Sequence, residues 1–365
     1  MNHTEHNFCS KYILATLLIS LIVLSVACLS KDTQLIHKTE ALSPKSKNEA
    51  VDTTWVDPLF QIEGQLCQHV RHIYEDRKGV LWFGTNVYGL MSYDGDSLSY
   101  YDEKNGLGNG RITALLEDKD GILWIGTAGG LSKYDGIRFQ NYTEKDGLIN
   151  NEIWSVIIDS KGLFWIGTSE GVSQFDGKQF SDFPIPKISV KDTNTILAYN
   201  RISSIIEDRQ GQLWFGTDGF GICKYDGKEY THLTKENVLV DNNIGDLSLD
   251  SKGNLWISTM FGGMIMYDGQ SFKHLSKEEG IKGIEAGSIF EATNGDIWFP
   301  IENQGVYQYD GKSFTQYHTD EGLVTNGILA ILKDSQDRFW FGGWLGLFRY
   351  DGSRFQMVTK KGPWD

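Results

Sequence analysis

Proline and cysteine are both scarce in this 365-residue sequence, which holds 6 prolines and 4 cysteines. So few cysteines exclude a small disulfide-built scaffold. So little proline excludes a collagen-like or polyproline chain. Positive charge is also thin: 34 Lys and Arg face 48 Asp and Glu, for a net charge of −14, and no basic block occurs. That balance argues against nucleic acid and against an anionic lipid surface as partners. Signals for metals and cofactors are lacking too. Asp118-Lys119-Asp120-Gly121 has the start of a calcium loop but not its remaining spaced ligands or distant Glu. No glycine-rich loop opens a helix, and no Ser-His-Asp or Cys-His order can be proposed, so no cofactor, metal or catalytic residue is expected. What the chain does have is 41 glycines, 11 tryptophans, 16 tyrosines and 19 phenylalanines. With only 22% charged residues it is too apolar and aromatic for disorder, and it is long enough to bury a large core. Scattered glycine with few helix signals favours many short strands and turns.

One apolar run, residues 12–27, follows Lys11 and ends in small residues before Cys28. It is short for a bilayer span, which needs about 20 apolar residues, and suits the core of a signal peptide. Leu24-Ser25-Val26-Ala27-Cys28 resembles a bacterial lipobox, with Ser25 where leucine is usual. The resemblance implies cleavage before Cys28 and a lipid on that cysteine, hence a lipoprotein of the bacterial envelope touching the membrane only through its anchor. The expected organisation is a signal peptide over 1–27, a polar tether over 28–57 and a folded domain over 58–365. Within that domain only Cys67 and Cys223 remain, far apart in the repeat register, and two buried free thiols are expected.

The domain is one unit written seven times. A tryptophan after an apolar residue recurs at 82, 124, 165, 214, 256, 298 and 340, with spacings of 42, 41, 49, 42, 42 and 42. An aromatic-Asp-Gly triplet follows each one, beginning at Tyr93, Tyr134, Phe175, Tyr225, Tyr267, Tyr309 and Tyr350. The copy from Ile112 to Asn151 shows the unit. Ile112–Glu117 reads as a strand (a), and Asp118 to Gly121 as a tight turn. A second strand (b) runs from Ile122 to Thr127, followed by a third (c) to Tyr134. Asp135-Gly136 then reads as a type I′ hairpin turn into strand d. Strand b is apolar at consecutive positions, which implies burial on both faces. Four antiparallel strands per repeat, copied seven times, predict an all-β seven-bladed β-propeller with tryptophans wedged between blades. Blade boundaries fall near 67–110, 111–151, 152–200, 201–242, 243–283, 284–327 and 328–359. Residues 58–62 look like an additional strand that would pair at the edge of the last blade.

The segment Ile-Thr-Ala-Leu-Leu-Glu-Asp-Lys-Asp-Gly-Ile-Leu-Trp-Ile-Gly-Thr-Ala-Gly-Gly-Leu-Ser-Lys-Tyr-Asp-Gly (112–136) closely resembles the two-component regulator propeller repeat. The resemblance covers about residues 67–359. In that family such blades usually form the periplasmic sensor of hybrid histidine kinases, many tied to polysaccharide use. No spacer domain, membrane helix, kinase or receiver is read after the blades, so the resemblance implies a sensor-type scaffold standing alone, with any signalling partner separate.

Strand order places the a–b and c–d turns on one face and the b–c and d–a loops on the other. The turn face repeats monotonously, so function is expected on the loop face. The residue before strand a is His69, Arg111, Glu152, Arg201, Asn243, Glu285 and Gly327 in successive blades. Two positions on, Arg71 and Trp154 stand where other blades have Thr113, Ser203, Gly245, Gly287 and Leu329. At the next position His72 and Asp246 break a run of small residues. The b–c loops add the aromatics Tyr88, Phe220, Phe261 and Trp344. In blade 6, Pro300 predicts an early end to strand b, with Glu302 offered in the bulge that follows. Residues 184–200 of blade 3 form a longer d–a loop, a potential rim. Arg71, His72, Tyr88, Arg111, Trp154, Arg201, Phe220, Asp246, Phe261, Glu302 and Trp344 are therefore the ligand-binding candidates. The expected partner is a glycan, a peptide or an envelope protein, bound without catalysis. Two alternatives stay open. One is a propeller enzyme similar to streptogramin lyases, drawing on His69, His72, Glu152, Asp246, Glu285 and Glu302. The other is a ligand-free envelope scaffold.

Overall fold

The computed structural model describes residues 64–191, 197–283, 285–323 and 325–364. The segments expected to be a signal peptide and a tether, Cys28 and residues 58–62 lie outside the described residues. No helix among the described residues is long and apolar enough to cross a membrane.

Seven separate four-stranded antiparallel sheets form, each from consecutive strands in the order a-b-c-d. In blade 2 these are Ile112–Glu117, Leu123–Thr127, Gly130–Tyr134 and Phe139–Tyr142. The a strands of blades 1, 2, 3, 4, 5 and 7 are Val70–Glu75, Ile112–Glu117, Ile153–Ile158, Ile202–Glu207, Ile244–Leu249 and Ile328–Lys333. They line the centre, and the last packs against the first, so the blades close into a ring. The apolar b strands have the burial their composition demands: Leu123–Thr127 is buried at every position, as are its counterparts in five other blades. Trp124 lies between blades against Val156, Phe164 and Phe175 of blade 3. Sheets meet this closely because glycine stands in strand b. A Cβ on Gly126 would lie 2.9 Å from Ile153 Cγ2, and one on Gly216 2.7 Å from Ile244 Cγ2.

The a–b turn is also a support for the tryptophan. Asp118 Oδ1 accepts the backbone N–H groups of Asp120 and Ile122, while its Oδ2 accepts Trp124 Nε1–H at 2.8 Å. The same indole–carboxylate bond joins Trp82 to Asp76, Trp165 to Asp159, Trp214 to Asp208, Trp256 to Asp250 and Trp340 to Asp334. One side chain thus satisfies the turn and a buried indole donor, which would otherwise be left unpaired in the core. The c–d turn differs from the expected type. In blade 2 the loop residues are Gly136 and Ile137, between Asp135 and Arg138, and only Gly136 has positive φ, at 90°. Asp135 sits before the loop and caps it by accepting from the N–H groups of Ile137 and Arg138. Positive φ at the first loop position alone is the II′ pattern, not I′.

Blade 6 corrects a second expectation. Strand b does not stop at Pro300: it runs Ile297–Ile301 and pairs through Pro300 with Val306 on strand c. The strand that shortens is a, reduced to Phe290–Glu291. Pro300 has no N–H to give toward strand a, so that side loses a ladder bond. Next to the proline it keeps the Gly287 N–H to Pro300 O bond at 3.0 Å and the Ala286–Ile301 bridge. Its ring also fills the space over Gly287, where a Cβ would meet Pro300 Cγ at 2.8 Å.

Among the described residues the last blade is built wholly from its own segment, Ile328–Lys333, Phe339–Gly343, Gly346–Tyr350 and Phe355–Val358. The ends of the domain meet beside it. Gln65 bridges to Thr359, and Gln65 Nε2 donates to the backbone oxygen of Leu345 at 2.8 Å. Trp364 fills the seam between blades 7 and 1, near Trp340 and Phe83. Cys67 and Cys223 are buried free thiols.

Candidate functional site

The a strands enclose a central cavity of about 1130 Å³ whose mouth is ringed by the b–c and d–a loops. A regular contact builds that mouth. In every blade the residue after strand b donates its backbone N–H to a carbonyl 17 positions earlier, at the entry to strand a or, in blade 6, at the equivalent repeat position. The bonds run from Asn86 to His69, Ala128 to Arg111, Ser169 to Glu152 and Asp218 to Arg201. They continue from Met260 to Asn243, Glu302 to Glu285 and Trp344 to Gly327. The rim is therefore seven side-by-side pairs, and their side chains set its chemistry.

Of the residues singled out from sequence, Arg71, His72, Arg111, Trp154, Arg201, Asp246, Glu302 and Trp344 all line this cavity. Tyr88, Phe220 and Phe261 do not. Tyr88 packs on the core of blade 1. Phe220 is buried, edge-on to Tyr199 at 4.8 Å, and borders a second pocket of about 350 Å³ beside residues 184–188. Phe261 is exposed outside the cavity. Asn86, Ser169 and Asp218 were missed. Their signal was available, since each stands directly after strand b, the second position of the rim pair.

The cavity is electrically divided. Blades 1, 2 and 4 supply Arg71, Arg111 and Arg201, and Trp154 of blade 3 adjoins the last two. The Cζ atoms of Arg111 and Arg201 each lie 4.6 Å from its ring centroid. Trp154 Nε1 donates to Ser169 Oγ at 2.9 Å, and Ser169 Oγ donates to Glu152 Oε2 at 2.7 Å. Glu152 Oε1 in turn accepts from Arg111 Nη1 at 2.9 Å. Burial, and then the charges of Arg111 and Arg201, push the Arg71 guanidinium below its ordinary pKa. Burial, with Arg71 alongside, lowers His72 to about 3, so its ring is neutral at pH 7.

Blades 5 and 6 supply Asp246, Glu285 and Glu302, carboxyls on the cavity wall outside the arginine ion pairs of blades 2 to 4. Burial raises the Asp246 carboxyl, whose oxygens accept Ser204 Oγ at 2.9 Å and the N–H groups of Leu247 and Ile289. Ile289 in blade 6 stands at the same repeat position as Leu247 in blade 5, and Asp246 accepts both N–H groups. Burial and the neighbouring Glu302 carboxyl raise Glu285 to about 7, so this pair shares a proton near neutral pH. No cluster of three or more metal-ligating side chains occurs among the described residues.

The family model described as two component regulator propeller matches residues 64–87, 106–129, 147–170, 196–219 and 239–261, five blades in register. The chain is a member of the two-component regulator propeller repeat family. The two blades without a match are the irregular ones. Blade 6 has Ala292 and Pro300, and blade 7 puts Asp337 (φ 68°) where other a–b turns have glycine. No curated protein matches the chain. Among solved structures, the extracellular domain assigned to a hybrid two component system of B. thetaiotaomicron is similar at 18% identity and a TM-score of 0.52. That match covers 78% of this chain and 45% of the other. PorZ, a surface component of the type-IX secretion system of Porphyromonas gingivalis, matches at 16% identity and a TM-score of 0.57, covering 80% and 48%. An inactive virginiamycin B lyase from Staphylococcus aureus, solved with quinupristin, matches at 12% identity and a TM-score of 0.61, covering 77% and 93%. This propeller thus spans less than half the length of the first two. At these identities the likeness is one of fold.

Proposed function

We propose that this propeller is a non-catalytic, sensor-like binding module of the bacterial envelope, lipid-anchored through Cys28, that takes its ligand into the central cavity at the loop face. The observation that carries this reading is the convergence on one cavity of the residues that break the repeat. Eight of the eleven candidate positions face the same space. A closure interface alone would not require Arg71, Trp154, His72 and Asp246 at inward positions, where most other blades manage with small residues. The ligand is a glycan, a peptide or an envelope protein, and the half-exposed Trp344 on the wall supplies a ring face for stacking. The extracellular likeness to a two component system supports the envelope setting.

The test is an array of envelope glycans and peptides probed with the wild type and with Leu329→Trp, which plugs the cavity from its wall. Ligands bound by the wild type and lost in the variant support the reading; equal binding by both places recognition elsewhere and sinks it. A second reading rests on the Glu285–Glu302 pair, whose shared proton is what general acid–base chemistry uses. Disappearance of intact quinupristin in the presence of wild type, but not of Glu285→Gln, would favour an enzyme.

A further inference from the structure

We propose that Arg71, Arg111 and Arg201 form an oxyanion subsite inside the cavity, which holds a carboxylate or sulfate group carried by an acidic oligosaccharide. This deepens the reading of the cavity as a binding site and depends on it. The first argument is unused hydrogen-bonding capacity. Each guanidinium carries five N–H donors in a planar fork. Among the described residues, Arg71 donates only to Asn86 Oδ1, at 3.2 Å, and Arg111 only to Glu152. Among the described residues the Arg201 guanidinium donates no hydrogen bond, although its residue is 6% exposed and its Nε is buried without a partner. Asp218 Oδ2 lies 3.4 Å from that nitrogen but already accepts the N–H groups of Leu197 and Ala198.

The second argument is charge. Glu152 balances Arg111 and Asp218 balances Arg201. Among the described residues no ion pair joins Arg71 to a carboxylate, and the charges of the other two guanidiniums act on it. The neighbouring His72 is neutral. Two of the three guanidiniums are thus balanced, and one positive charge is left over in a half-buried space. An anion would complete it, and a planar carboxylate or a sulfate fits guanidinium forks in bidentate fashion. The surroundings favour a sugar as the carrier. Thr113 Oγ1 and Ser203 Oγ, both on the cavity wall, have no hydrogen-bond partner, which suits a hydroxyl-rich ligand. Trp344 offers the stacking face across the same space.

The experiment is calorimetric titration of the soluble domain with four probes: an oligogalacturonate, its carboxyl-reduced neutral counterpart, a heparin-derived sulfated oligosaccharide, and polyglutamate. Wild type and Arg71→Gln are compared, with thermal unfolding of both as the folding control. The expected result is binding of the uronate or the sulfated probe. Arg71→Gln should weaken it about ten- to hundredfold, as for loss of a charge-assisted contact, with an unchanged or higher melting temperature. The uronate and heparin arms separate carboxylate from sulfate. Neutral binding equal to acidic binding, unaffected by Arg71→Gln, overturns the oxyanion subsite and leaves the cavity reading intact. A preference for polyglutamate overturns the glycan carrier, and no binding of either acidic glycan overturns the proposal outright. Should Arg71→Gln unfold, Arg71→Lys, which keeps the charge but loses the fork, replaces it and must still weaken the acidic probe.

Discussion

Trp364 stacks on Tyr93 with ring centroids 4.3 Å apart and planes 23° from parallel. In the other blades the aromatic of the Asp-Gly triplet stacks on a residue of its own strand d, as Tyr134 does on Phe139 at 4.5 Å and Phe175 on Phe180 at 4.4 Å. Blade 1 has Leu98 at that position, and the C-terminal tryptophan takes the vacant place. The end of the chain is thereby fastened to its first blade. Arg338 Nη1 strengthens the attachment by donating to Trp364 O at 2.9 Å.

Trp364→Ala should therefore open the seam between blades 7 and 1. The expected loss is about 2–3 kcal/mol, below that of a fully buried tryptophan because Trp364 is only partly buried. Chemical denaturation measures it. A loss within experimental error would show that the seam is held by Glu75 and Ser335 instead, whose side chains bond at 2.5 Å.

Ala292 stands where six other blades have the aspartate that accepts the tryptophan indole, and Trp298 Nε1 is buried without a partner. Ala292→Asp should supply the missing acceptor and raise stability by about 1 kcal/mol, while Asp118→Ala should cost about 1–3 kcal/mol by orphaning Trp124. Paired urea melts read both. Destabilisation by Ala292→Asp would mean that blade 6 has repacked around the alanine.

The Glu285–Glu302 pair gives stability a pH dependence of definite sign. Glu285 holds its proton to about pH 7 in the fold but loses it from the ordinary 4.5 upward when unfolded. Between those values the native state binds more protons, so this pair's contribution falls as pH rises from about 4.5 to 7 and stays low above it. Melting temperatures across that window should decline more steeply in the wild type than in Glu302→Gln. Parallel curves would remove the pair as their cause.

The strand b glycines set the blade spacing. Gly216→Ala puts a methyl group 2.7 Å from Ile244 Cγ2, and relief of that overlap requires two blades to part. The expected cost is about 1–3 kcal/mol, from thermal unfolding. Gly136→Ala in a c–d turn meets no atom within 4 Å, so any effect there comes from its positive φ alone.

The seven blades, their strand order, the tryptophan wedge and the buried thiols were legible in the sequence, because each rests on a local pattern repeated at one spacing. Repetition also made departures visible, which is why Arg71, His72, Trp154 and Asp246 could be named as inward residues before any coordinates. Three things needed the tertiary structure. The rim pairs join residues about 17 positions apart through a backbone bond between strand ends, so Asp218 and Ser169 gain their partners only when the sheet forms. Pro300 marked blade 6 as irregular, but the sheet decided which strand would shorten, because a missing N–H acts only on the side it would face. Ring closure was the least local of all. Trp364 and Tyr93 are neighbours through the curvature summed over seven blades, and no segment of sequence records that sum.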